Sequence, residues 1–206
     1  MIVQRNLPER VAEHVIDLIV GGELTLGSRI HEVPLAEQLG VSRSTLREGL
    51  RLLEARGLVE ATPQKGTAVR VYDRQSIQTI YSMRETSELR AFALLRARPH
   101  DLPRLLAGLE PILEAMALNE GRSNLTLNRL DIAFHTALVE AAGEFALTSI
   151  WGAVRHHLAI IFSLELSDSS DFAADHRRLA RALAGDGAAL EEEYRRHIAK
   201  DRFDVR

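Results

Sequence analysis

The chain's 206 residues are 46% apolar and 27% charged with a formal net charge of −3, an ordinary globular balance with room for two modest domains that each bury a core. Cysteine is absent, which excludes a disulfide framework and any thiolate metal site, so a bound metal must use imidazole and carboxylate. No apolar run approaches the roughly 18 residues that span a bilayer, and the opening MIVQRNLPER lacks the apolar stretch of a signal peptide, so a cytoplasmic protein with no membrane partner is expected.

Residues 8–20 begin with Pro8 at a plausible first helical position and put Val11, Val15, Leu18 and Ile19 on one face, and Gly21-Gly22 ends that helix. After a short loop with Gly27, a second helix is predicted from about Pro34 to Leu39. Gly40 then makes a tight turn into a third helix, for which Ser42 is a good N-cap and Gly57 the stop. This is helix-turn-helix spacing. In the third helix Leu46, Leu50 and Leu53 face the core, while Arg43, Arg47 and Arg51 form a second stripe about a third of a turn away. Thr67, Val69 and Val71 alternate after a Pro63-Gln64-Lys65-Gly66 turn, predicting a two-stranded hairpin that forms a wing.

From Arg74 onward every apolar pattern is helical, which places a domain boundary near residues 72–76. Six helices are predicted, at about 75–97, 101–119, 124–142, 145–166, 171–184 and 187–203. Their breaks are Arg98-Pro99, Gly121, Gly143, Ser167-Asp168-Ser169-Ser170 and Gly185-Asp186-Gly187. Trp151, Phe134 and Phe145 are read as core. The expected fold is mainly α: a winged helix-turn-helix over residues 1–73, then an all-α helical bundle over 74–206.

A net charge of −3 does not by itself indicate a nucleic-acid partner, so the case for DNA rests on where the charges lie. A helix fits the major groove, and Ser42, Arg43, Ser44, Thr45 and Arg47 at the start of the third helix have the chemistry for phosphates and base edges. Lys65 and Gly66 at the wing tip suit a close approach to the DNA backbone. The competing reading pairs the arginines with Glu48 and Glu54 as a solvated face.

The stretch Gly27-Ser28-Arg29, Leu35-Ala36-Glu37-Gln38-Leu39-Gly40-Val41-Ser42-Arg43, Leu46-Arg47-Glu48, Leu52-Leu53-Glu54, Gly57-Leu58-Val59 and Gly66 resembles the winged helix-turn-helix of GntR-family bacterial transcription regulators. The resemblance covers nearly all of residues 8–71 and implies DNA contact by Arg29, Ser42, Arg43, Ser44, Arg47 and Gly66. The chain departs from the family's habit of Thr-Pro at Ser44-Thr45, of Ala at Gly49, and of a residue other than proline at Pro34. Gly49 alone costs roughly 1 kcal/mol of helix propensity relative to alanine.

In the second half, Asp131 and His135 lie one helical turn apart and converge on one point. A hydrogen-bonded structural pair is the simpler account of those two residues alone. If the last two helices pack antiparallel about Gly185-Asp186-Gly187, the midpoint of 176 and 197 falls inside that turn, so His176 and His197 sit side by side. Three imidazoles and one carboxylate suit zinc or another divalent first-row metal such as nickel or manganese, among which the ligand set does not choose, and open coordination positions would accept a carboxylate.

Asp131-Ile132-Ala133-Phe134-His135, Asp175-His176, Leu179, Ala182-Leu183, Gly185-Asp186 and Arg196-His197-Ile198 resemble the FCD ligand-binding domain of the FadR-like branch of the GntR family. Six helices look like its shorter, VanR-like subgroup. The resemblance implies metal binding by Asp131, His135, His176 and His197, an organic acid above the metal, and a homodimer. Arg84 matches an arginine near the start of that domain's first helix, placed to meet an effector carboxylate. Its alternative is a surface pair with Glu88. Arg155, next to His156 and His157 on an otherwise apolar helix, is the second effector candidate.

The expectation is a metabolite-responsive regulator, in this family most often a repressor, that binds a near-palindromic double-stranded operator as a homodimer. Two rivals remain: a metal-dependent hydrolase with an accessory DNA-binding head, against which no HExxH-like block is present, and a regulator whose metal is purely structural.

Overall fold

The computed structural model describes residues 7–165, 171–185 and 187–200. They form two compact units, Met1–Asp73 and Arg74–Arg206. The predicted break at Ser167-Asp168-Ser169-Ser170, the turn residue Asp186 and the last residues of the final predicted helix lie outside the described residues.

In the first unit, α1 (Leu7–Val20) buries Val11, Ala12, Val15, Ile16, Leu18 and Ile19. Helix α2 (Glu32–Gln38) starts two residues before the predicted Pro34. Proline in the first turn costs nothing there, because N–H groups at a helix start have no intrahelical acceptor. Gly40, at φ 63°, turns the chain into α3 (Arg43–Ala55), whose Ser42 cap accepts from the Thr45 amide at 3.1 Å. Leu46, Leu50 and Leu53 are buried on α3 as the spacing requires.

The wing pairs β1 (Val59–Thr62) antiparallel with β2 (Gly66–Val69) in the register Val59↔Val69 to Thr62↔Gly66. Gln64 takes a positive φ of 65° in the connecting turn. The predicted alternation runs one step too far: β2 ends at Val69, and Val71 is 65% exposed. Conversely, the segment after Gly27 is more than a loop. Ile30 N donates to Thr67 O at 2.8 Å, and Arg29 forms an isolated antiparallel bridge with Ala68, so this segment lies along the edge of the two-stranded wing.

Helix α3 packs on α1 through Gly49. A β-carbon there would lie 2.7 Å from Val11 Cγ1 and 3.1 Å from the Pro8 carbonyl oxygen. The glycine that looks costly in helix propensity is thus the residue that permits this helix contact.

The second unit is helical throughout its described residues. It comprises α4 (Arg74–Arg96), a 3-10 turn (Pro99–Asp101), α5 (Leu102–Asn119), α6 (Asn124–Ala141), α7 (Phe145–Glu165), α8 (Phe172–Ala184) and α9 (Gly187–Lys200). Ser123 caps α6 by accepting from Thr126 N at 3.2 Å. Helix α7 packs against α4 and α6, and α8 against α5 and α9. Leu109, Met116, Phe134, Leu138, Trp151, Leu158, Ile160 and Ile161 form the core. The Trp151 indole N–H is satisfied inside it by Thr136 Oγ1 at 2.8 Å.

Two expectations need correction. Phe145 is 84% exposed rather than core; it is the first residue of α7, before that helix enters the bundle. Phe145–Leu164 also has a mean hydropathy of 1.3, long and apolar enough on composition to cross a bilayer, although no comparable run was expected. The apolar excess has a local cause, since residues 158–162 of α7 are all buried inside the bundle.

Gly49→Ala would gain roughly 1 kcal/mol of helix propensity but lose about 1–3 kcal/mol to overpacking against Val11 and Pro8. The expected outcome is a lower urea midpoint and a lower Tm than the parent protein, measured by circular dichroism. A higher midpoint would mean that α1 and α3 separate without cost.

Candidate DNA-reading helix and metal centre

The start of α3 is a cluster of exposed hydroxyls and one free cation. Ser42 Oγ, besides capping Thr45 N, lies 2.9 Å from Ser44 Oγ and 2.8 Å from Thr45 Oγ1. Arg43 is exposed and makes no ion pair among the described residues. Arg47 is not paired along its own helix as the solvated-face reading supposed: its Nε donates to Glu32 Oε2 of α2 at 2.6 Å. Arg51 does pair along α3, with Glu48 at 2.6 Å. At the wing, the Arg29 guanidinium lies over Gly66, where a β-carbon would come within 3.1 Å of Nη2. Gly66 has φ 81°, so the position favours glycine for its backbone. Glu32, fifteen residues from Arg47, left no signal in the sequence.

In the second unit the four candidate ligands come together from three helices. Asp131 and His135 project from α6, His176 from α8 and His197 from α9; all are buried, and their donor atoms lie within 4.8 Å of one another. His176 and His197 have ring centroids 4.6 Å apart, level across the α8–α9 hairpin. His135 Nε2 lies 3.2 Å from His197 Nε2, and His176 Nε2 lies 2.9 Å from Asp131 Oδ1.

Contacts outside the cluster orient the rings. His176 Nδ1 donates to the Phe172 carbonyl at 2.9 Å, while His135 Nδ1 lies 2.9 Å from Glu88 Oε2 in an ion-pair contact that lacks hydrogen-bond geometry. A carbonyl only accepts, so His176 Nδ1 carries the proton and its Nε2 points inward. This is how metal-ligating histidines are usually held. The His176–Asp131 contact then sets a lone pair against a carboxylate unless a proton or a cation lies between them. Asp131 Oδ2 is buried with no hydrogen bond among the described residues. By donor chemistry and orientation the residues fit a divalent cation.

Arg84 is where the sequence reading changes most. The alternative surface pair with Glu88 does form, at 3.0 Å from Nε to Oε1, but both side chains are inside the protein, 1% and 0% exposed. Arg84 Nη2 continues to His135 Nε2 at 2.8 Å, and its Cζ lies 4.9 Å from the Phe162 ring centroid. Glu88 thus holds a guanidinium on one oxygen and an imidazole on the other. Burial pushes its carboxyl pKa up, but the charges of His135 and Arg84 and their hydrogen bonds together bring it below the usual value. Burial likewise opposes ionisation of Asp131, yet His135, His176 and Arg84 outweigh it and bring its pKa down to about 2. Burial, then Glu88, raises the Tyr194 phenol beyond the usual range.

Arg155 is half-buried on α7, its Nε enclosed without a hydrogen bond and with no ion pair to the cluster among the described residues. Glu88 is the residue that reading for function overlooked. Its signal was present, an acid one turn from Arg84, but only burial distinguishes such a pair from a surface one.

A winged helix-turn-helix with an arginine and hydroxyls at the start of its third helix, joined to a helical unit built around a buried polar centre, has the architecture of a transcriptional regulator rather than an enzyme. Residues 7–69 match the model for bacterial regulatory proteins of the gntR family, and residues 79–200 match the FCD domain model. The chain belongs to the GntR family and has an FCD domain as its second unit.

Among its relatives, the "Probable D-xylose utilization operon transcriptional repressor" of Paenarthrobacter nicotinovorans is 28% identical over 96% of this chain and 88% of that protein. An "Uncharacterized HTH-type transcriptional regulator in unstable DNA locus" of Streptomyces ambofaciens is 31% identical over 85% and 75%. The fold is shared with E. coli McbR/YncC at a TM-score of 0.75, with 22% identity over 98% of this chain and 94% of that one.

Arg84→Met would leave Glu88 buried without its guanidinium partner, at a cost of about 3 kcal/mol. Replacing both partners, Arg84→Met with Glu88→Gln, removes the stranded charge and should recover most of that loss in urea denaturation. Equal losses in the single and double variants would show that the pair is not energetically coupled.

Proposed function

We propose that this regulator is a homodimeric repressor of a near-palindromic operator, controlled by a divalent cation and a small carboxylate effector in its second unit. The reading head offers Ser42, Arg43, Ser44 and Arg47 to the major groove, with Arg29 and Gly66 at the wing. Arg43 needs to leave no partner in order to contact DNA. Arg47 must exchange Glu32 for phosphate or base, which its exposure makes inexpensive. The assignment as a repressor is supported by the relative from Paenarthrobacter nicotinovorans, which is named for that role. Two-fold protein symmetry matches two half-sites.

The observation that carries the metal reading is the buried convergence of Asp131, His135, His176 and His197 from three helices, with their donor atoms within 4.8 Å of one another and His176 Nε2 2.9 Å from Asp131 Oδ1. Asp131, His135, His176 and His197 would hold the cation, zinc first because three imidazoles and a carboxylate suit its tetrahedral preference, with nickel or manganese also compatible. The cation would supply a Lewis-acid position for an effector carboxylate. With neutral imidazoles, Arg84, Glu88 and Asp131 sum to one negative charge, so a divalent cation leaves one positive charge, matched by a monocarboxylate. Arg84 and Arg155 are the proposed effector partners. An effector changes operator affinity only if it favours one arrangement of the protein over another.

The enclosure of the cluster, whose four residues are 0–5% exposed, favours a second reading in which the cation is structural. Thermal melts separate the two. A rise in Tm with a carboxylate panel that requires zinc supports the sensor, and a rise with zinc alone supports the structural ion.

Elemental analysis of the wild type should find about one divalent metal per chain, lost in His176→Ala and His197→Ala; full metal content in those variants would reject the ligand set. Operator sites selected from a randomised duplex library should lose about tenfold or more in affinity for Arg43→Ala, the size of one bidentate base contact. Unchanged affinity would reject α3 as the reading helix.

A further inference from the structure

Three arginines form the outer stripe of α3, and their surroundings differ. Arg43 makes no ion pair among the described residues, and Arg51 pairs with Glu48 of the same helix. Arg47 reaches another helix, where its Nε donates to Glu32 Oε2 at 2.6 Å.

The two partners of that contact are not equally free to move. Glu32 opens α2, where the positive end of the helix favours a carboxylate, and its side chain is 25% exposed. The Arg47 side chain is 55% exposed and joins the contact through Nε. The anion is anchored, and the cation is the part that can swing.

An arginine that leaves a carboxylate to take up a phosphate does not change the number of paired charges. The salt dependence of DNA binding comes from the counterions set free when a protein cation neutralises a phosphate. When Arg47 moves from Glu32 to DNA, one counterion leaves the phosphate, but the vacated carboxylate takes one up. Arg43, which starts without an ion-pair partner among the described residues, carries no such offset.

We infer that Glu32 is an internal stand-in for a DNA phosphate, which occupies Arg47 in the free protein and cancels that arginine's share of the salt-dependent affinity. This rests on the reading head proposed above. Arg47 then adds hydrogen bonds to the complex but no net counterion release, and the long-range attraction to the duplex is left to Arg43 and the wing. The electrostatic contribution supplies nearly all binding to arbitrary sequence, so Glu32 holds that background down.

The test is fluorescence anisotropy of the full chain on a duplex selected from a randomised library, repeated over a range of potassium chloride concentrations. Glu32→Gln keeps the size of the side chain and removes an exposed ion pair, which is worth little to stability. This variant is expected to bind about threefold more tightly at low salt, the scale of one exposed pair. Its plot of log affinity against log salt should also be steeper by about 0.9. An unchanged slope overturns the inference, and so does weaker binding, which would mean that Glu32 positions Arg47 for DNA.

A carboxylate that merely repels the duplex gives the same gain whether or not Arg47 is present. In an Arg47→Ala background, Glu32→Gln is expected to strengthen binding by clearly less than in the parent protein. Equal gains in the two backgrounds overturn the inference. Arg47→Ala by itself should weaken the complex. If it does not while Arg43→Ala does, the inference falls and α3 stands as the reading helix; if neither does, the reading head falls with it.

Discussion

The second unit is organised around one carboxylate that has no access to water. Glu88 can remain ionised at 0% exposure because Arg84 from its own helix and His135 from α6 flank its two oxygens. Spacing along α4 supplies the first partner. The second forces α4 and α6 into one relative position and leaves the far nitrogen of His135 turned toward Asp131, His176 and His197. The α8–α9 hairpin then closes the centre with two more rings. A buried ionic group is weak evidence of stability, but it strongly penalises alternative packings in which a charge is stranded. The polar centre thus selects the helix arrangement that brings the four candidate ligands together.

The two units use Arg–Glu pairs in opposite ways. Arg47 and Glu32 meet at 2.6 Å with 55% and 25% of their side chains exposed, and such a pair is worth little and is readily exchanged. Arg84 and Glu88 meet at a longer 3.0 Å but inside the core, where losing one partner leaves the other charge without solvent. The short distance therefore belongs to the replaceable pair. Solvent access rather than separation decides which arginine is available to a new ligand and which is committed to its position.

Helices were legible because their signals are local. Gly40, Gly57, Gly121 and Gly143 punctuate the chain where positive φ is needed, and Ser42 caps α3 as its side chain suggests. The convergence of His176 and His197 was legible too, since equal distances from a hairpin turn place residues level. Partnerships set by tertiary packing were not. Glu32 reaches Arg47 across the helix-turn-helix, Arg29 joins the wing through strand pairing, and Phe145 is apolar yet exposed because α7 begins outside the bundle. Arg84 marks the boundary: spacing identified its partner, but only burial makes that pair a fixed part of the centre.

The close approach at Gly49 limits how the DNA-reading segment can be re-engineered. The resemblance to the family leads one to expect alanine at the matching position, and here its methyl group would run into Val11 and the Pro8 carbonyl. A recognition helix transplanted from such a relative would bring a side chain for which this scaffold has no room. Chimeras with altered operator preference should therefore exchange α1 and α3 as a matched pair, because residues 11 and 49 constrain each other across the seam.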